Sequence, residues 1–74
     1  MELNRGDYVR LTNAERTDVG VVWEIDPQST ASIEVYWWNN GQRWSNYYEP
    51  HNLSLVPPLE VPDYAIKLRD SLGL

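Results

Sequence analysis

The sequence predicts a mainly β protein, a small five-stranded barrel followed by a short C-terminal helix. Three observations carry this. Short runs with period-2 alternation and β-branched or aromatic residues recur from residue 7 onward, each bounded by turn chemistry. An Asn40-Gly41 pair sits between two of them, the composition of a type I′ hairpin turn, in which both central residues need positive φ. Past three closely spaced prolines the spacing of apolar residues changes from 2 to about 3.6.

The first run, DYVRLT (7–12), places Val9 and Leu11 on one face and Tyr8 and Arg10 on the other. In VGVVWEID (19–26), Glu24 and Asp26 define a polar phase, which assigns Val21, Trp23 and Ile25 to the buried one. Asp26 to Thr30 reads as a turn, since Pro27 presets φ and Asp26 and Ser29 can bond nearby backbone. ASIEVYWW (31–38) alternates Ile33, Val35 and Trp37 against Glu34, Tyr36 and Trp38. QRWSNYY (42–48) is its return strand, Glu49 to Leu53 a single helical turn, and LSLV (53–56) the closing strand.

Residues 1–56 therefore form the barrel. Residues 57–61 form a Pro-rich linker, expected to be extended because each proline pushes its predecessor out of the helical region. Residues 62–74 form the helix, with Val61, Ala65, Leu68 and Leu72 on one stripe, Tyr64 beside it and Gly73 at the C-cap. A helix of about 11 residues is marginal alone. It is expected to dock on the barrel, on a second copy through the same stripe, or on a partner.

Hairpin register divides the aromatic residues. The chain has nine, four Trp and five Tyr, and six lie between Val35 and Tyr48. A two-residue loop pairs Trp37 with Trp44, Val35 with Asn46 and Ile33 with Tyr48 on one face, which reads as core together with Trp23. The opposite face then carries Tyr36 opposite Ser45, Glu34 opposite Tyr47, and Trp38 opposite Arg43, a possible cation–π contact of ~0.5–1 kcal/mol. A three-residue loop slips the register by one, turning Trp44 outward and Arg43 inward. Burying Arg43 unpaired would cost several kcal/mol, which favours the two-residue loop. Tyr36 and Trp38 face outward in either register. The candidate binding residues are accordingly Tyr36, Trp38, Tyr47, Arg43 and Glu34.

The segments RGDYVRL, DVGVVWEID, IEVYWWNNGQRW and EPHNLSLV resemble the SH3-like small barrels, including Tudor and KOW modules common in bacterial and phage proteins, over residues 5 to 56. The resemblance implies an SH3-like barrel used as a peptide dock, a reader of methylated residues, a nucleic-acid binder or a subunit of a larger assembly. IEVYWWNN is similar to the V-V-Y-x-x-Y-G-N segment of Tudor modules. That similarity implies a cage-wall position for Tyr36 and a polar cage position for Asn39 or Asn40. The family's further rings come from a region that here reads LTNAERTDVG, without an aromatic residue, leaving Trp38 or Tyr47 to supply a wall from another direction.

Composition narrows the function classes. Eleven acidic residues against six basic ones give a net charge of −5, which disfavours binding through phosphate neutralisation and suits a basic protein partner. Single-stranded nucleic acid ranks below a protein partner, because Arg5, Arg10, Arg16 and Arg43 are dispersed among acids rather than lining a groove. The absence of Cys removes disulfides and thiolate metal sites, and the start MELNRGDYVRL shows no basic-then-apolar pattern. A cytoplasmic protein without a membrane span or cofactor is expected. No nucleophile motif, phosphate loop or metal-ligand spacing occurs, and His51 sits in a turn, so no catalysis is expected. The function expected is a non-catalytic protein-binding module presenting an acidic-aromatic surface to a basic or Pro-containing segment; a structural subunit is the alternative.

Overall fold

The computed structural model describes residues 3–13, 17–28 and 32–74. It is mainly β: strands β1 (Tyr8–Leu11), β2 (Gly20–Ile25), β3 (Ile33–Asn39), β4 (Gln42–Tyr48) and β5 (Leu53–Leu55) precede helix α1 (Asp63–Ser71). The strands form one antiparallel sheet in the order β4-β3-β2-β1-β5. Consecutive strands β1 to β4 meander, and β5 returns to pair with β1. Two clusters of buried residues result, and the larger lies on the inner face of the sheet. That core holds Val9, Val22, Ile33, Val35, Trp37 and Leu53, with Leu3, Leu11 and Tyr48 packed against it.

The β3–β4 hairpin has the two-residue loop. Asn40 and Gly41 take φ of 51° and 77°, and Trp37 pairs with Trp44, Tyr36 with Ser45 and Glu34 with Tyr47. An added Cβ at Gly41 would meet nothing within 4 Å, so Gly41→Ala is a purely conformational change. We expect a loss of ~1 kcal/mol in urea unfolding with the slope unchanged.

Trp23 does not join the core. Between Val22 and Glu24 the β2–β3 register shifts through a bulge, so Val22 pairs with Val35 while Glu24 pairs with Glu34. The extra residue re-aims the strand. Val22 takes the inner position, and Trp23 turns outward to meet the Tyr36 ring. Val21 pairs with Tyr8 and Tyr36 on the outer face, where it is nonetheless fully buried. Ile25 lies beyond the bulge at the sheet's margin, 38% exposed. Trp44, expected in the core, faces the core side but is 40% exposed, because β4 is the sheet's edge and the cleft it shares with Leu11, Asp18, Trp37 and Tyr48 is open to solvent. Tyr48 does reach Trp37, accepting a 3.1 Å hydrogen bond from the indole Nε1–H.

Helix α1 packs across the outer face, against β2 and β3. Its stripe places Ala65 and Leu68 out of solvent altogether, and Ala65 clusters with Val19 and Val56 beside Tyr8, Val61 and Tyr64. Three polar anchors fix it: Tyr64 Oη accepts from the Val19 N–H at 2.9 Å, Arg69 Nε donates to the Gly6 carbonyl at 3.0 Å, and Arg43 Nη1 donates to the Ser71 carbonyl at 2.9 Å. At the helix end, Gly73 has φ of 79°, and the N–H groups of Gly73 and Leu74 bond the carbonyls of Asp70 and Arg69, a Schellman closure.

The linker is not uniformly extended. Pro57 and Val61, each followed by proline, are extended, but Pro58–Glu60 close a 3-10 turn. Proline restricts the residue before it and itself suits the first position of a helical turn, so Pro58 both ends the extended stretch and starts the turn. Ser29, Thr30 and Ala31 of the β2–β3 connection lie outside the described residues, as does Arg16. Within that connection, Gln28 N–H bonds the Asp26 carboxylate at 2.9 Å, the local bond expected of an aspartate turn.

Candidate functional site

The outer face of β2, β3 and β4 is divided by α1. Toward the C-terminal end of β3, Trp38 is half-buried and its cross-strand neighbour Arg43 reaches the last turn of the helix. The cation–π contact between Trp38 and Arg43 does not form; the guanidinium is directed instead to the Ser71 carbonyl at the helix C-terminus, where a cation is favoured. These two residues belong to the helix-docking end of the face.

The other end is open. Tyr36 and Tyr47 sit diagonally on adjacent strands two pairs apart, and the bulge brings Trp23 to Tyr36 with ring centroids 5.8 Å apart and planes at 84°. That edge-to-face arrangement is the one aromatic quadrupoles prefer. The Arg5 guanidinium lies over the Trp23 ring at 4.5 Å from its centroid. Tyr47 is 60% exposed, the most accessible ring on this face.

Carboxylates surround these rings. Glu24 and Glu34 are paired across β2 and β3, and Glu34 accepts a 2.8 Å hydrogen bond from Ser45 Oγ. The Glu34 charge beside the Tyr47 phenol pushes its pKa above the ordinary tyrosine value, with burial, the Glu24 charge, a hydrogen bond to Glu34 and Tyr36 adding to it. The neutral phenol is therefore favoured in the folded chain. This contribution is present below the ordinary value of about 10 and is lost as pH rises through the raised one. We expect Glu34→Gln to bring the Tyr47 ring titration, followed by NMR, back toward that ordinary value.

Of the five residues predicted, Tyr36, Tyr47 and Glu34 fall together in the open part, while Trp38 and Arg43 fall at the helix. Three members were missed: Trp23, Glu24 and Arg5. A signal for the first two was present in GVVWEI, where three consecutive apolar residues cannot satisfy strict alternation and an inserted residue resolves the conflict. Arg5 carried no local signal, because its position over Trp23 depends on how the segment before β1 crosses the sheet.

A second aromatic surface lies on the core side, a shallow cleft lined by Leu11, Asp18, Trp37, Trp44 and Tyr48. Trp37 and Trp44 are tilted by 31° with centroids 6.1 Å apart, and Trp37 meets Tyr48 edge-on. Here the rings pack mainly on one another. Among the described residues no three His, Asp or Glu side chains converge to hold a metal ion, and no helix is long and apolar enough to cross a membrane. Known proteins supply no family for this arrangement: no family model matches the chain, and neither a curated protein nor a solved structure matches it.

Proposed function

We propose that the chain is a non-catalytic protein-binding module whose open outer face, Trp23, Tyr36 and Tyr47 with Glu24 and Glu34, receives a basic segment of another protein. The observation that carries this is the placement of the exposed Tyr47 ring and the half-buried Trp23 and Tyr36 rings with two carboxylates on one face of the sheet. Ring faces and carboxylates both attract a guanidinium or ammonium group, and Tyr and Trp give large contact area with few rotatable bonds. Arg5 over Trp23 supports the chemistry, since it is a cation of this chain already held on that surface. The net charge of −5 supports association steered by a positively charged partner.

An SH3-like barrel is the fold-level reading we favour, on the strand order, the tight β3–β4 hairpin and the single 3-10 turn Pro50–Asn52 that leads into β5. A methylated cation is one member of the ligand class this face suits, with Tyr36 and Trp23 as two nearly perpendicular walls. The test is calorimetric titration with a panel of Arg-, Lys- and methyl-Lys-containing peptides, with and without proline. Tyr47→Ala and Tyr36→Ala are each expected to weaken the best peptide about tenfold or more, the effect of losing an aromatic anchor. Glu34→Gln is expected to weaken it less and to flatten its salt dependence. Unchanged affinity in both tyrosine variants, with the fold intact, rejects the surface.

A further inference from the structure

The hairpin geometry leaves another surface that peptide binding does not use, the free edge of β4. With a two-residue loop, Asn39–Gln42, Trp37–Trp44, Val35–Asn46 and Ile33–Tyr48 are the pairs that exchange backbone hydrogen bonds. The N–H and C=O groups of Arg43, Ser45 and Tyr47 therefore point away from β3. A 2.9 Å hydrogen bond from the Tyr47 N–H to its neighbour Asn46 Oδ1 marks that outward direction. Among the described residues β4 pairs with β3 alone, and none bonds the backbone of Arg43 or Ser45. Sheet edges are ordinarily blunted by proline, lysine, a bulge or short length. The seven residues of β4 have none of these, their one charge, Arg43, is drawn to the Ser71 carbonyl, and their register with β3 runs without interruption. The opposite edge, β5, is three residues long and is soon followed by Pro57 and Pro58.

We propose that β4 pairs antiparallel with β4 of a second copy of this chain, about a two-fold axis through Ser45. Once Asn46 Oδ1 releases the Tyr47 N–H, the outward groups of Arg43, Ser45 and Tyr47 meet those of Tyr47, Ser45 and Arg43 in the other copy, so all seven residues of the strand pair. Self-complementarity of this kind is what a two-fold interface requires. The small Ser45 side chains meet on the axis. Each Arg43 faces the other copy's Tyr47, whose ring neighbours the Glu34 carboxylate, and each Trp44 faces the other copy's Asn46. An axis through Arg43 would instead set two guanidinium groups against each other, and an axis through Tyr47 would juxtapose the two acidic sites. Pairing places the two outer-face sites side by side on one continuous sheet.

Sedimentation equilibrium of the full chain between about 10 μM and 1 mM, the range that weak interfaces span, tests this. The expected result is a mass rising from the 8.7 kDa monomer toward twice that value. Ser45→Pro removes the outward N–H together with the Ser45 Oγ–Glu34 hydrogen bond, at a position where edge strands accept proline, and is expected to stay monomeric throughout while keeping the near-UV signal of the tryptophans. If Ser45→Pro loses that signal, Ser45→Lys decides, since it sets two ammonium groups on the axis and is expected to weaken pairing at least tenfold. Arg43→Glu is expected to weaken it comparably. A wild-type chain that stays monomeric at the highest concentration overturns the proposal. So does a dimer whose affinity the folded Ser45 variant leaves unchanged.

Discussion

Gly20→Ala is expected to be among the most damaging single-methyl changes in this chain. A Cβ at Gly20 would lie 2.7 Å from Val35 Cγ1, 2.8 Å from Trp37 Cε3 and 2.8 Å from the Tyr36 carbonyl oxygen. None of the three has room to yield, since Val35 and Trp37 are themselves buried core residues and the carbonyl is fixed in β3. β2 must shift relative to β3, at a cost of about 1–3 kcal/mol for overpacking of this kind. In a domain of this size that lowers Tm by roughly 5–20 °C, readable by circular dichroism. The role of Gly20 is thus steric: it lets the start of β2 lie flat on the Val35–Trp37 part of the core.

Leu68→Ala is expected to lower stability by about 2–5 kcal/mol in urea unfolding, the range for truncating a fully buried leucine. Leu68 has no solvent exposure, and neither does Ala65 one turn earlier. The loss tests whether α1 is part of the folded unit, because a helix reserved for a partner would make Leu68→Ala nearly silent in the isolated chain. Partial undocking would also release the Arg43–Ser71 contact and the Tyr64 and Arg69 anchors, which span the sheet from β4 to the segment before β1.

Much of the fold was legible in local chemistry. Asn40-Gly41 determined the hairpin loop, and through it the face of every residue from Ile33 to Tyr48. The prolines and Gly73 delimited α1, and the stripe Ala65–Leu68 identified its buried side. The candidate site was less legible, because it depends on two events that alternation does not encode. One is the bulge after Val22, which moves Trp23 from the expected core to the outer face. The other is the placement of α1, which separates Trp38 and Arg43 from Tyr36 and Tyr47 although all four share a face of one hairpin. Trp44 shows a third limit: strand phase specifies the side a residue faces, but at an edge strand that side is not fully covered.

The most direct test of the proposed site uses the four tryptophans as reporters. Their indole N–H resonances are followed by NMR while a basic peptide is titrated into the chain. Trp23 stands at the open outer site, Trp38 at the helix end of the same face, and Trp37 and Trp44 on the core side. The expected result is the largest shift at Trp23, a smaller one at Trp38, and little change at Trp37, whose indole N–H is held by Tyr48, or at Trp44. Largest shifts at Trp37 and Trp44 would contradict the account and place binding in the cleft beside Leu11.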